Sequence, residues 1–253
     1  MKLLIVVAHP DDETFGTGSV IARAAGDGAE VVVCCATRGE LGEARPGSVP
    51  AGSSLGEVRE RELHAAASLL GAHRVRLLGF QDSGWDGECA AASLVGAEFD
   101  HVVEAVREVI ADEQPHAVVT MDPTGGDGHR DHVRIAQATT EAFDQAALDG
   151  ASLYYWCLVR SVMGQWVAHN SGTVYAEVPE DEFGFPDDQI TTSIDVMDLL
   201  PLRWKAIALH RSQASPYDNL PEELAIAFLG TDRLARARPL WPGGPLESCL
   251  LGR

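Results

Sequence analysis

Short apolar runs alternate with amphipathic stretches over about the first 160 residues of the chain. The apolar runs predict β-strands at Leu3–Ala8, Glu30–Ala36, Arg74–Leu78, Ala117–Met121 and Leu153–Val159. Stretches with helical spacing of apolar residues predict helices at Thr14–Ala25, Glu57–Leu70, Phe99–Ala111 and Asp131–Ala147. Strands that are apolar along their length and alternate with helices are typical of a parallel sheet covered on both faces. The pattern therefore predicts an α/β fold, a Rossmann-like three-layer sandwich with a mostly parallel sheet.

The regular pattern fades after about Ser161. From there to Leu202 the chain has no lysine or arginine but has eight acidic residues, namely Glu177, Glu180, Asp181, Glu182, Asp187, Asp188, Asp195 and Asp198. A charge run of this kind usually faces water, although it could also attract cationic ligands. We predict a single domain with an α/β core at residues 1–160. An irregular C-terminal annex or lid follows at 161–253, with a late helix at Leu199–His210.

The composition narrows the classes of partner. The 253 residues include 38 acidic and 19 basic side chains, which gives a formal net charge of −19. Such a chain repels a phosphate backbone and favours cations, so we expect no nucleic-acid partner. No apolar stretch approaches the roughly 20 residues of a membrane span. Five cysteines without a C-x-x-C pair, and a first segment unlike a signal peptide, lead us to expect reduced thiols and a cytoplasmic protein.

Polar residues follow the predicted strands at the sheet edge where open α/β sheets bind ligands. The first strand runs into His9-Pro10-Asp11-Asp12-Glu13, and the second is followed by Thr37-Arg38-Gly39-Glu40. The third strand is followed by Asp82, and the fourth by Asp122 and then by His129, Asp131 and His132. Because parallel strands end at the same edge, we expect these side chains to converge.

Two imidazoles and one carboxylate in this group could bind a metal. His9, Asp12 and His132 offer the facial ligand set of catalytic zinc and of non-haem iron(II), which leaves coordination positions open. A metal so bound lowers the pKa of its water to about 7. Asp11 cannot point at the same ion as its neighbour Asp12, so we expect it to take the proton from that water.

A second pair of residues completes the expected chemistry. His129 lies about one helical turn before His132 and could stabilise an oxyanion. Asp131 could hold the His129 imidazole in one tautomer and raise its basicity. A purely structural alternative is that both acidic motifs only cap helices, since Asp is a favoured capping residue. Gly16-Thr17-Gly18 lacks the third glycine of a dinucleotide fingerprint, so a nicotinamide site is not predicted.

Four segments resemble the LmbE-like (PIG-L) zinc-dependent de-N-acetylases. They are V-V-A-H-P-D-D-E, T-R-G-E, V-R-E-R-E-L-H-A-A-A-S-L-L-G and D-P-T-G-G-D-G-H-R-D-H, with a weaker match at R-W-K-A-I-A-L-H-R-S-Q. The resemblance implies that zinc, or Fe²⁺ or another divalent ion, is bound by His9, Asp12 and His132. It makes Asp11 the general base and later the acid, and His129, supported by Asp131, the oxyanion stabiliser. It also implies that Arg38, Arg59 and Asp82 border or contact the sugar.

Two positions depart from the family pattern. Arg130 replaces the proline of the usual H-P-D-H, and we expect it to be exposed and within reach of the substrate. Asp127 stands where the mycothiol-pathway deacetylase carries a mobile tyrosine. A phenol donor to the oxyanion is therefore lost, or is supplied from elsewhere.

The resemblance implies a small-molecule substrate, an N-acetylated amino sugar that is hydrolysed to acetate and a free amine. One alternative is an amidase that cleaves a larger amide, such as a thiol S-conjugate of the mycothiol type. Two others are a metal- or sugar-binding protein without turnover and an iron oxygenase. Asp11 and His129 argue against the binding protein, because binding alone needs neither residue. A homo-oligomer is compatible with the sequence.

Overall fold

The computed structural model describes residues 1–169 and 184–252. Its strands are β1 (Lys2–Val7), β2 (Glu30–Cys35), β3 (Arg74–Leu77), β4 (Ala117–Met121), β5 (Ser152–Trp156), β6 (Thr192–Asp195) and β7 (Thr231–Arg238). They form one seven-stranded sheet in the order β3-β2-β1-β4-β5-β7-β6. The first five strands pair in parallel, whereas β7 is antiparallel to both β5 and β6. The five strands predicted from the sequence are all present.

The α-helices in the described ranges pack mainly in two layers over the parallel part of the sheet. They are α1 (Asp12–Phe15), α2 (Gly18–Gly26), α3 (Leu55–Leu69), α4 (Phe99–Glu113), α5 (Arg130–Ala146), α6 (Arg160–His169), α7 (Leu200–Ile207) and α8 (Glu222–Leu229). Helices α4 and α5 pack on each other and on β1, while α1, α2, α3 and α7 pack together and reach β1, β2 and β3. Helix α8 instead packs on the antiparallel strand β7, and α6 packs on α8. The predicted three-layer α/β sandwich is confirmed.

Burial explains why the central strands could be predicted from the sequence. Residues 3–7 of β1, 31–35 of β2 and all of β4 are buried, so each strand reads as a continuous apolar run. Helix α3 begins with a capping box, in which Ser54 accepts from the Glu57 N–H and the Glu57 carboxylate accepts from the Ser54 N–H.

The helix predicted at Thr14–Ala25 is broken in the structure. Helix α1 ends at Phe15, and α2 begins at Gly18. The buried Arg203 guanidinium of α7 donates hydrogen bonds to the carbonyls of Thr14, Phe15 and Gly16. The prediction of one continuous helix was wrong because a residue far along the chain takes these carbonyls.

The segment after Ser161 is more regular than predicted. Strands β6 and β7 extend the main sheet, and α7 ends at Ile207, three residues before the predicted end of the late helix. Strand β7 was missed because arginines alternate with small and apolar residues along it, so it is not an apolar run. Four of the eight acidic residues, Glu177, Glu180, Asp181 and Glu182, lie outside the described residues, as does that part of the predicted lid. Across the described ranges, no helix combines the length and the apolarity needed to cross a bilayer.

Candidate active site

The candidate site lies at the carboxyl ends of the neighbouring strands β1 and β4. The chain that leaves β1 carries His9, Asp11 and Asp12, and the chain that leaves β4 carries His129 and His132. These side chains share a cavity of about 420 Å³. The expected convergence at this edge of the sheet is therefore shown for the side chains that follow β1 and β4.

The three predicted metal ligands are brought together. The Nδ1 atom of His9 lies 3.3 Å from the Nε2 atom of His132. The Asp12 carboxylate places Oδ1 3.3 Å from His132 Nε2 and Oδ2 3.8 Å from His9 Nδ1. Two ring nitrogens and a carboxylate thus face one another beside the cavity, which is the donor set that a divalent metal ion needs.

Each of the two imidazoles is held from behind by a carboxylate. The Nε2 atom of His9 lies 3.1 Å from Oδ2 of Asp131. The Nδ1 atom of His132 lies 3.0 Å from Oδ1 of Asp127 and 3.0 Å from the Gly125 carbonyl. Carboxylates on the outer nitrogens of metal-binding histidines fix the tautomer and orient the ring. The other ring nitrogens, His9 Nδ1 and His132 Nε2, thereby face the same point.

The charges around the cluster also favour a cation. Burial lowers the pKa of His9, but its hydrogen bonds to Asp131 and Asp82 and the charge of Asp12 outweigh burial and raise the pKa to about 9. Burial raises the pKa of Asp12, but His132 and His9 hold it well below its usual range. The carboxylates are thus charged and the site stabilises positive charge, so the residues present fit a divalent metal ion.

A second possible donor group, His9, Asp82 and Asp131, lies on the opposite side of the His9 ring. Asp82 and Asp131 are buried, and neither lines the cavity. His129 is also close enough to His9 and His132 to act as a donor. We favour the Asp12 side because its donors face the space that a substrate can enter.

Asp11 lies beside the candidate metal ligands in a strained backbone conformation. Its φ angle is 123°, which is uncommon for a non-glycine residue. The Arg59 guanidinium donates to Asp11 Oδ2 at 3.1 Å. Burial raises the pKa of Asp11 and Arg59 opposes that rise, so that the pKa is about 6. A carboxylate with a pKa near 6 is well suited to accept a proton near neutral pH.

His129 faces the cavity as a neutral donor. Its Nδ1 atom accepts the Asp131 backbone N–H at 3.1 Å, which leaves the proton on Nε2. Burial and the neighbouring imidazoles of His9 and His132 lower its pKa to about 4. The expectation that the Asp131 carboxylate holds the His129 imidazole was wrong, because that carboxylate contacts His9 and the Ser83 N–H instead. Its charge does raise the pKa of His129, as expected, but burial and the two neighbouring imidazoles outweigh it.

The three predicted sugar-contacting residues lie in different surroundings. Arg59 lines the cavity, where it also donates to the carbonyls of Pro10 and Gly39. Arg38 is exposed and pairs with Glu60, away from the cavity. Asp82 is buried behind His9 and accepts the N–H groups of Leu41 and Gly84. The structure therefore does not place Arg38 or Asp82 against the cavity, and the expectation that they contact the sugar is not supported by their positions.

Arg130 has a different role from the one predicted. It is half-buried, and its guanidinium donates to the carbonyls of Ser83, Gly84, Asp86 and Gly87. The predicted exposed arginine within reach of the substrate was wrong. Arg130 instead fixes the 83–87 loop, which carries Trp85.

Sequence reasoning missed the walls of the cavity. Trp85 is 59% exposed, and its ring lies edge-on to His129 with 5.0 Å between centroids. The rest of the lining is largely apolar and includes Met121, Trp156, Leu158, Met163, Tyr217 and Phe228. Trp85 lies three residues after Asp82, which was the one signal available in the sequence. The apolar residues come from the ends of β4 and β5, the loop after β5, helices α6 and α8, and the loop between α7 and α8, and no local pattern links them.

Comparisons with known proteins find relatives over most of the chain. The family model described as PIG-L, GlcNAc-PI de-N-acetylase, matches residues 4–143. A 1D-myo-inositol 2-acetamido-2-deoxy-alpha-D-glucopyranoside deacetylase from Rhodococcus opacus (strain B4) is 38% identical over 247 residues, covering 85% of this chain and 82% of the relative.

Solved structures show the same fold at lower identity. The N,N'-diacetylchitobiose deacetylase from Pyrococcus horikoshii has a TM-score of 0.58 and 22% identity, covering 88% of this chain and 72% of its own. The 4-carboxy-2-hydroxymuconate hydratase from Pseudomonas putida KT2440 has a TM-score of 0.63 and 17% identity, covering 96% and 98%. Since a hydratase also has this fold, the fold alone does not choose the reaction.

Proposed function

We propose that this chain, which belongs to the PIG-L family of de-N-acetylases, hydrolyses the N-acetyl amide of an amino sugar to acetate and a free amine. The observation that carries the proposal is the position of Asp11 and His129 at the His9–Asp12–His132 donor set. A carboxylate with a pKa near 6 and a neutral imidazole donor are the acid–base and oxyanion groups of amide hydrolysis. Metal or sugar binding alone would need neither.

The proposed metal ligands are His9 Nδ1, an Asp12 carboxylate oxygen and His132 Nε2, and the proposed ion is zinc, with Fe²⁺ as the alternative. When bound there, the ion would polarise the amide carbonyl and make water a better nucleophile. Asp131 and Asp127 orient the two imidazoles from behind.

Asp11 acts twice in the proposed reaction. As base, its carboxylate accepts a proton from the attacking water as the C–O bond forms. As acid, it returns that proton to the amide nitrogen as the C–N bond breaks, which gives acetic acid and the amine. The proton of the acetic acid then passes to the amine, so the released products are acetate and an ammonium group. Transfer of this kind typically contributes about 10²–10⁴-fold. The Arg59 ion pair keeps the Asp11 carboxylate in place and prevents burial from raising its pKa further.

His129 supplies a hydrogen bond to the oxyanion. Its Nδ1 atom is occupied by the Asp131 N–H, so Nε2–H is the free donor. A single donor of this type contributes roughly 10²–10³-fold to turnover. Position 127 carries an aspartate, whose side chain contacts His132, so it offers no phenol hydroxyl to the oxyanion. We therefore propose that His129 is the oxyanion donor by itself.

The cavity walls suggest how an amino sugar is held. Trp85 offers an exposed ring face or edge beside His129, and aromatic side chains pack well on apolar faces of ligands. Arg59 can donate to sugar hydroxyls from the inner end. The apolar part of the lining favours a substrate with an apolar substituent, and it supports the second candidate, an amidase that releases a larger acid.

The test is an assay of the zinc-loaded protein on a panel of N-acetylated amino sugars, with acetate and amine measured by mass spectrometry. We expect acetate release from N-acetylglucosamine conjugates, without a requirement for oxygen. Release of a larger acid from N-acyl analogues, with no acetate from any N-acetyl sugar, would replace the deacetylase proposal with the amidase. A cytoplasmic location and a homo-oligomeric state stay predictions from the sequence.

A further inference from the structure

The C-terminal part of the chain reaches the catalytic turn through a buried pair of side chains that do not line the cavity. Glu13 and His210 are 0% and 2% exposed, and the Nε2 atom of His210 lies 2.9 Å from Oε1 of Glu13. They are 197 positions apart in the chain. A buried carboxylate needs partners, and at Oε1 of Glu13 these are His210 and the neighbouring Thr14 hydroxyl, which donates to the same oxygen.

The other oxygen of Glu13 supports the backbone of Asp11. Glu13 Oε2 accepts the Asp11 N–H at 2.9 Å. The Asp11 carbonyl accepts from the N–H groups of Thr14 and Phe15 at 2.9 and 2.7 Å. A residue with a φ of 123° keeps that conformation only when its surroundings determine it. The Glu13 carboxylate is the one side chain in the described ranges that bonds the Asp11 N–H.

His210 depends on this contact for its own position. Its Nδ1 atom is buried without a hydrogen-bond partner among the described residues, and its Nε2 atom meets only Glu13 and Thr14. The Phe15 ring lies edge-on to the imidazole with 5.7 Å between centroids. A buried histidine with one unsatisfied nitrogen is costly, so a function at its other nitrogen explains its presence.

We propose that Glu13 and His210 are positioning residues that hold the strained backbone of Asp11 and so aim its carboxylate at the reacting water. The pair touches neither the proposed metal ligands' donor atoms nor the cavity, so its effect passes through Asp11. The inference rests on the proposed role of Asp11 as general base. It makes the residues after α7 part of the catalytic apparatus and not only an extension of the sheet.

The kinetic test is a double-mutant cycle with Asp11. We expect His210→Ala to lower kcat by roughly 10- to 100-fold, since small displacements of a catalytic group are costly, with KM and zinc stoichiometry unchanged. In an Asp11→Asn background, the same substitution should lower the residual rate by less than about 3-fold, because residues that act as a unit are not additive. An equal fold-loss in both backgrounds would overturn the proposal.

Two variants separate positioning from simple loss of stability. Ile110→Ala opens a cavity in α4, away from the site, and should lower the melting temperature while leaving kcat unchanged. If His210→Ala does not fold, Glu13→Met takes its place in the cycle, since it keeps a similar side-chain volume and removes the oxygen that accepts the Asp11 N–H. The expected and contradicting results are then the same as for His210→Ala.

A structural measurement keeps the inference separate from the proposed function. In a crystal structure of His210→Ala, or of Glu13→Met if needed, we expect Asp11 to leave its φ near 123° and its Oδ2 atom to move away from the Arg59 guanidinium, which is 3.1 Å away in the native protein. An unchanged Asp11 would overturn the positioning role, whether or not the enzyme acts on amino sugars. Absence of acetate release by the native protein would count only against the proposed function.

Discussion

The Oδ2 atom of Asp131 lies 3.1 Å from the Nε2 atom of His9, which comes from a different strand end. The same oxygen accepts the Ser83 N–H at 3.0 Å. Asp131 is therefore the residue through which the β1 end, the 83–87 loop and the start of α5 are joined. Its carboxylate bonds the proposed metal ligand His9, whereas its hydrogen bond to His129 comes from the backbone N–H.

Loss of either orienting carboxylate should weaken metal binding. Asp131→Asn and Asp127→Asn each remove the charge behind one imidazole, and such changes typically lower metal affinity about 10- to 100-fold. Competition with a chromogenic chelator measures the change. Asp149→Asn, at an exposed position, is the matched control and should bind zinc like the native protein. Native affinity in both Asp131→Asn and Asp127→Asn would remove the orienting role.

Substitutions of Asp11 and of His9 should have different effects on turnover and on metal content. Asp11→Asn should lower kcat by roughly 10²–10⁴-fold, as loss of a general base does, and should keep one bound zinc per chain. His9→Ala should lose the zinc itself, because it removes a proposed ligand. Zinc analysis and acetate release on the same samples test both expectations. A native rate in Asp11→Asn would exclude Asp11 as the base.

The pH dependence should report the Asp11 carboxyl. Burial raises its pKa to about 6, with Arg59 opposing the rise. The base works as a carboxylate, so kcat/KM should be constant above about pH 6.5 and should fall about 10-fold per pH unit below about pH 5.5. Zinc must be saturating at each pH, because protons compete for His9 and His132. A flat profile down to pH 5 with zinc retained would contradict this assignment.

Trp85 and the arginine that fixes its loop should affect substrate binding more than turnover. Removing the ring in Trp85→Ala should raise KM about 2- to 10-fold, the range expected for one aromatic contact. Arg130→Ala should change KM in the same direction, because the carbonyls of the 83–87 loop lose their common donor. Leu240→Ala, exposed and outside the cavity lining, is the control. An unchanged KM in Trp85→Ala would place the sugar elsewhere.

The sequence predicted the elements whose signals are local. Strands β1, β2 and β4 are buried along almost their whole length, so each could be predicted as a continuous apolar run. Because parallel strands end at the same edge of a sheet, His9, Asp12 and His132 could be predicted to lie together there. Helix α5 begins at Arg130, one residue from its predicted start, so His132 does lie in the first turn.

The predictions that were wrong concern features that depend on residues far away in the chain. The break after Phe15 is imposed by Arg203, and the choice of Asp131 between His9 and His129 is set by how β1 and α5 meet. Arg130 was expected at the surface because nothing local shows that the 83–87 carbonyls converge on it. Strand β7 pairs with β5 through backbone hydrogen bonds. It was not predicted because its alternating arginines do not form an apolar run.

The most direct test of the account is anomalous diffraction at the zinc edge from crystals grown with zinc. The account predicts one strong peak within about 2.0–2.2 Å of His9 Nδ1, an Asp12 oxygen and His132 Nε2. Asp11 should lie next to the peak without binding it. A peak on the far side of the His9 ring, between Asp82 and Asp131, or no peak among the three proposed ligands, would contradict it.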